Sequence, residues 1–123
     1  MMLKRRRTKP RRVDPGSVPG HLQFIRGFEC AVRHCREKAE AHHVRVGIPA
    51  TERGGTGKKP HDKWSLPLCA THHHEIHAIG HATFEAKHQI NLVDIATDLW
   101  RQSPHRYKQE RKEAENAPVT PDH

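Results

Sequence analysis

The sequence has little of the apolar material from which a large core is built. Only 33% of its 123 residues are hydrophobic, and its aromatic residues are two Trp, one Tyr and three Phe. A chain of this length supports one domain, and burial alone stabilises so small and polar a fold poorly. A structural metal often adds the missing stability, and thirteen His and three Cys offer many ligands.

Long hydrophobic runs are also absent. No stretch of about 18 apolar residues occurs, so no membrane-spanning helix is predicted. The opening residues, MMLKRRRTKPRR, lack the apolar segment that follows the positive stretch of a secretory signal. We therefore expect a cytoplasmic protein with no membrane partner. In that reducing compartment, an odd number of cysteines argues against disulfides and favours thiolate ligation of a metal.

Acidic residues are in the minority. The chain has 14 Asp and Glu against 22 Lys and Arg, which gives a formal charge of +8. Such an excess favours a polyanionic partner, and nucleic acid is the first candidate. Charge alone also fits a basic protein that is merely soluble. The sequence does not indicate an oligomeric state.

Composition divides the chain into three parts. Residues 1–17 combine a Lys/Arg run with Pro and Gly and are interpreted as a flexible basic arm. Residues 18–102 form the predicted domain, and residues 103–123 are interpreted as a disordered charged tail. Within the domain, residues 49–60 hold three Gly and two Pro and predict an exposed basic loop.

The hydrophobic patterning predicts a small α+β fold. Strands are expected at about 40–48 and 62–68, with helical segments at 21–28 (a short helix or a turn), 72–79, 83–89 and 92–102. Thr71 is the expected N-cap of the helix that begins at residue 72, and Gly80 is expected to end it. A strand, a loop, a second strand, a knuckle and a helix therefore follow one another.

Two short motifs together predict a structural zinc site. Cys30-x4-Cys35 and Cys69-x2-His72 each let one tight turn present two ligands to a tetrahedral Zn²⁺. A single buried cysteine is more often a packing residue, but all three cysteines of this chain fall into the pattern. We call these four residues the cysteine centre.

A second group of histidines predicts an open metal site. His42 and His43 are adjacent on a predicted strand, so their side chains diverge. His73 and His77 are four residues apart on a predicted helix and share one face. We call His42, His73 and His77 the histidine centre. Three neutral ligands leave positions for phosphate and water, and His43 is then available as a general base.

Alternatives to this ligand set remain open at the level of sequence. His77 and His81 are also four residues apart, and His74 lies next to His73, so a shifted set of ligands is possible. The run from His72 to His74 also fits a solvated polar tract at a helix end.

These motifs resemble the HNH endonucleases, in particular a compact branch associated with phages and prophages. The resemblance rests on CAVRHC, AHHV and GTGKKPHDKWSLPLCATHHHEIHAIG, and it covers about residues 21–102. It implies a ββα-metal core with the histidine pair on the first strand, the knuckle after the second strand and the last ligands on the helix. It also implies that His43 is the base, that the histidine centre holds the catalytic cation and that the cysteine centre holds Zn²⁺.

One position departs from the HNH pattern. Members commonly carry an Asn on the second strand shortly before the knuckle, whereas this chain has HDKWSL there. His61 or Asp62 is the expected substitute, as a group that orients the base or the loop. Candidates for phosphate binding are Arg45, Lys58 and Lys59.

The resemblance implies hydrolysis of DNA phosphodiesters with a single cation, Mg²⁺, Mn²⁺, Ni²⁺ or Zn²⁺, to give 5′-phosphate products. The alternative is a zinc-containing DNA-binding module without catalysis, which gives the histidine centre and His43 no role. Other zinc proteins fit worse. The spacing from His74 to His77 is one residue short for a metalloprotease helix, and the Cys and His order is wrong for a deaminase. A C2H2 finger is excluded because Cys35 and His73 are far more than about 12 residues apart.

Overall fold

The computed structural model describes residues 16–54 and 59–106. They form a small mixed α+β domain with a two-stranded antiparallel sheet. The elements are α1 (Pro19–Arg26), β1 (Ala39–His43), β2 (Ser65–Cys69), α2 (Ala70–Ile79), α3 (His81–His88) and α4 (Leu92–Gln102), with 3-10 turns at Ala50–Glu52 and Asp62–Trp64. No helix in these two ranges has the length and apolar character needed to cross a membrane.

The first strand is shorter than predicted. It ends at His43, which pairs with Ser65 at the start of β2. The alternating β-branched residues after His43 do not extend the strand, because the residues just before β2, Asp62–Trp64, form a 3-10 turn. Val44 still donates its N–H to the Trp64 carbonyl at 2.8 Å, and Gly47 then turns the chain with a φ of 81°.

The second strand begins later than predicted for a similarly local reason. The His61 ring accepts the N–H of Lys63 through Nδ1 at 3.0 Å, which stabilises the 3-10 turn instead of an extended backbone. Every residue of β2 is buried, and the Pro67 carbonyl accepts the N–H of Ala31 at 2.8 Å. This contact joins the sheet to the loop that carries the first two cysteines.

Helix α2 follows β2 without a linker. Its N-cap is Cys69, whose Sγ accepts the N–H of His72 at 3.5 Å, so the prediction of Thr71 as the cap was wrong. Gly80 ends the helix as predicted, with a φ of 89° that favours glycine. Helix α3 begins at His81, two residues earlier than predicted, and α4 has the predicted bounds.

The core lies between the sheet and the helices. Its fully buried side chains include Ile25, Leu66, Leu68, Phe84 and Leu92. Cys30 and Cys69 belong to the same cluster of buried residues. The cysteine centre is therefore continuous with the core, so a metal bound there would link the elements that surround the core.

The packed part of the domain extends past the predicted boundary at residue 102. Ser103, the predicted first residue of the tail, is fully buried, and its Oγ lies 2.9 Å from Nδ1 of His21. A Cβ on Gly20 would lie 2.4 Å from the His105 ring, so this glycine lets the chain after α4 pack against α1. The rest of the predicted tail, 107–123, and the arm up to residue 15 lie outside the described residues.

Candidate metal centres

The four side chains of the cysteine centre meet as their spacing predicts. Cys30 and Cys35 lie on the loop after α1, Cys69 ends β2, and His72 lies in the first turn of α2. Their ligand atoms all lie within 4.8 Å of one another. Nδ1 of His72 is 3.3 Å from Sγ of Cys30 and 3.2 Å from Sγ of Cys69, and Sγ of Cys35 is 3.9 Å from Sγ of Cys69.

These separations fit a tetrahedral zinc ion. Zn–S bonds of about 2.3 Å and Zn–N bonds of about 2.0 Å place two sulfurs about 3.8 Å apart and a sulfur and a nitrogen about 3.5 Å apart. Burial raises the pKa of the Cys30 thiol to about 11, so its thiolate needs a neighbouring cation. At Cys69 burial also opposes ionisation, but hydrogen bonds led by the His72 N–H outweigh it and lower the pKa. The donor set is compatible with zinc.

The histidine centre is assembled from one strand and one helix. His42 lies on β1 and is buried, whereas His73 and His77 lie one turn apart on α2. The ring centroids are 5.0 to 5.6 Å apart, and the ligand nitrogens lie within 4.8 Å of one another. Burial, followed by the charges of His73 and His77, lowers the pKa of His42 to about 3. His42 is therefore neutral near pH 7, which is the form that binds a cation.

His43 contacts the buried carboxylate of Asp62. Its Nε2 lies 2.8 Å from Oδ1 of Asp62, which is fully buried. The other oxygen of Asp62 accepts the N–H of Val18 at 2.7 Å, and Nζ of Lys59 lies 3.3 Å from Oδ1. Burial opposes ionisation of Asp62, but the bonds from His43 and Val18 and the charge of Lys59 outweigh it and lower the pKa. A carboxylate is thus fixed behind the His43 ring.

Beside this pair lies an open pocket of about 140 Å³. Two residues of the histidine centre line it, together with the predicted base His43 and the predicted phosphate-binding residue Arg45. The full lining is His42, His43, Arg45, Val46, Ile76, His77 and His81. The His43 imidazole, the Arg45 guanidinium and two candidate metal ligands therefore border one space.

The remaining sequence candidates lie in different surroundings. His61 stabilises the 3-10 turn through its ring, so of the two supporting candidates it is Asp62 that contacts His43. His81 borders the pocket and pairs with Glu85 at 2.8 Å. His74 is exposed and does not belong to the three-histidine group. Lys58 lies outside the described residues.

Besides Glu85, the partner of His81, sequence reasoning missed two carboxylates that contact histidines. Oε2 of Glu40 lies 2.8 Å from Nδ1 of His73, and Glu75 contacts both His88 and Lys87. A signal for the first existed, because Glu40 and His42 are two apart on a strand and share a face. No such signal pointed to Glu75, since its partners lie on the next helix.

The fold and these clusters define a small α+β domain with a candidate metal-binding site of three cysteines and one histidine. Residues 6–103 match the family described as "Protein of unknown function (DUF968)", and since the match covers most of the chain, the protein belongs to this family. No curated protein and no solved structure matches the chain.

Proposed function

We propose that this protein is a metal-dependent DNA endonuclease of the HNH class. The observation that carries the proposal is that His43, backed by the buried Asp62, borders the same pocket as His42 and His77. A base held by a carboxylate beside an open cation site is an arrangement suited to the hydrolysis of a phosphodiester.

The two centres differ in the way that structural and catalytic metal sites differ. The cysteine centre offers four protein ligands, three of them sulfur, which is the closed donor set of a structural zinc. The histidine centre offers three imidazoles and borders a pocket, so it leaves positions open to substrate. When bound there, Mg²⁺, Mn²⁺, Ni²⁺ or Zn²⁺ would act as a Lewis acid on the phosphate oxygens.

His43 is the proposed general base. An ionised Asp62 can only accept, so in the neutral His43 ring that acts as the base the proton lies on Nε2 and the lone pair lies on Nδ1. Nδ1 accepts a proton from water as the water oxygen attacks phosphorus in line and the P–O3′ bond breaks. The 3′ oxygen leaves and takes a proton from solvent, so the products carry a 5′ phosphate and a 3′ hydroxyl, and the His43 ring then returns its proton to solvent. The Asp62 carboxylate fixes the tautomer and stabilises the imidazolium that forms, as the buried carboxylate does in a hydrolase triad.

The order of the elements supports the HNH assignment. Strand β1 ends in the histidine pair, β2 ends in Cys69, and α2 carries the last ligands of both centres. This is the strand, strand and helix order of the ββα-metal core. In this proposal Asp62 takes over the supporting role that the HNH pattern gives to an Asn.

Basic residues supply the affinity for DNA in this proposal. Arg45 borders the pocket, where a guanidinium can bind a phosphate through two N–H groups. Lys59 is 45% exposed while it pairs with Asp62, so its ammonium group is also accessible to a phosphate. With a formal charge of +8, the chain as a whole attracts a polyanion.

The experiment that tests the proposal is plasmid cleavage by the zinc-loaded full chain. We expect conversion of supercoiled plasmid to nicked or linear product when Mg²⁺, Mn²⁺, Ni²⁺ or Zn²⁺ is added, and loss of cleavage in excess EDTA. Labelling of the new ends should show 5′ phosphates. Tight DNA binding without cleavage under any of these cations would instead support a non-catalytic zinc module.

Asp62→Asn is expected to lower kcat strongly with little change in cation affinity. The amide cannot hold the His43 ring proton as a carboxylate does, and loss of the correct tautomer costs a triad hydrolase about 10⁴-fold. The measurement is plasmid cleavage under single-turnover conditions, with cation binding followed by calorimetry. Asp98→Asn is the matched control, since Asp98 is exposed on α4. Wild-type cleavage by Asp62→Asn would exclude the role given to this carboxylate.

A further inference from the structure

Glu40 makes a specific contact with a ligand of the histidine centre. Its Oε2 lies 2.8 Å from Nδ1 of His73, a bond that joins β1 to α2. The contact occupies Nδ1, which leaves Nε2 as the nitrogen with which His73 can bind a cation. A carboxylate on the far nitrogen of a ligating imidazole fixes its tautomer and raises its basicity.

The position of Glu40 on β1 explains how it reaches this ring. Glu40 and His42 are two residues apart in a strand, so both side chains lie on the face of β1 that meets α2. This face of β1 thus carries His42, a candidate cation ligand, and Glu40, whose carboxylate contacts the second candidate ligand His73. Its pairing with Leu68 on β2 fixes the register of Glu40.

The contact between Glu40 and His73 contributes little to the free energy of folding. The side chain of Glu40 is 57% exposed and that of His73 is 25% exposed. Exposed ion pairs contribute roughly 0–1 kcal/mol, so removing one does not endanger the fold. What the contact does fix is the orientation of the His73 ring.

We propose that Glu40 is a positioning residue of the histidine centre, which holds the His73 ring with Nε2 toward the cation and strengthens its binding. The inference rests on the proposed function, because it takes the histidine centre to be a cation site. It assigns a role at that site to Glu40, which is not one of the three histidines.

The test is calorimetric titration of the zinc-loaded full chain with Ni²⁺, with the zinc content checked before and after. Glu40→Ala is expected to weaken Ni²⁺ binding by about 10–100-fold, the usual cost of losing such a partner. Glu40→Gln should fall between wild type and Glu40→Ala, because its amide oxygen still accepts the Nδ1 proton but carries no charge. The thermal midpoint without Ni²⁺ should be unchanged in both variants.

Matched variants separate failure of this inference from failure of the proposed function. Glu37→Gln removes the same charge from an exposed position three residues earlier and should bind Ni²⁺ like wild type. If His73→Ala loses Ni²⁺ binding while Glu40→Ala keeps it, the role of Glu40 is overturned and the cation site stands. Equal losses in Glu40→Gln and Glu40→Ala would make the carboxylate a ligand and overturn the positioning role. Unchanged binding in His73→Ala would overturn the site itself.

Discussion

His43→Ala is expected to lower kcat for plasmid cleavage by about 10²–10⁴-fold, the usual contribution of a general base. The variant loses the only group that we assign to deprotonate water, while the three residues of the histidine centre are retained. DNA affinity and Ni²⁺ affinity should therefore stay close to wild type. Cleavage rates under single-turnover conditions, measured beside both affinities, check this separation of binding from chemistry.

His74→Ala is the matched control for that experiment. His74 is exposed on α2, next to a residue of the histidine centre, but it is not part of the three-histidine group. Its loss should leave cleavage unchanged, which would exclude a general effect of removing histidines from this surface. Undiminished metal-dependent cleavage by His43→Ala would contradict the mechanism.

Cys69→Ser, or removal of zinc by a chelator, is expected to unfold the domain at ambient temperature. Structural zinc sites contribute about 10–16 kcal/mol in small zinc-finger peptides. Whole domains are stable by about 5–15 kcal/mol, so the loss of the metal matches or exceeds the total. Cys69 is both a buried core residue and the N-cap of α2, so its loss affects the helix that carries ligands of both centres. Circular dichroism and thermal unfolding measure the effect.

Ser65→Ala is the matched control within the same strand. The Ser65 hydroxyl is buried and has no hydrogen-bond partner among the residues that the structure describes, so its removal should be neutral or mildly stabilising. For chelation, the control is recovery of the folded signal when Zn²⁺ is returned. A melting curve that did not change on loss of zinc would contradict the structural role of the cysteine centre.

Local spacing made both ligand groups predictable from the sequence. Each pair of the cysteine centre lies within a few residues, so a single turn sets its geometry and no long-range contact has to be known. The helical period likewise placed His73 above His77. Joining the pairs rested on less, namely that all three cysteines fall into one pattern and that a strand pair and a helical pair of histidines accompany it, since nothing in the spacing says that β1 lies against α2.

The parts that could not be predicted depend on tertiary contacts. His61 and Asp62 were equal candidates as the group that supports the base, and only the 3-10 turn that separates their side chains decides between them. The end of β1 was misplaced because alternation indicates an extended chain but not whether a partner strand is present. Glu40 was missed because sharing a strand face with His42 does not by itself say that this face meets His73 on α2.

The most direct test of the two-centre account is anomalous diffraction from crystals of the zinc-loaded protein soaked in Ni²⁺. Data collected at the zinc and nickel edges identify each ion by element. We predict zinc among Cys30, Cys35, Cys69 and His72, and nickel among His42, His73 and His77, beside the pocket that His43 borders. A protein that binds zinc at the cysteine centre but shows no ion among the three histidines would contradict the account.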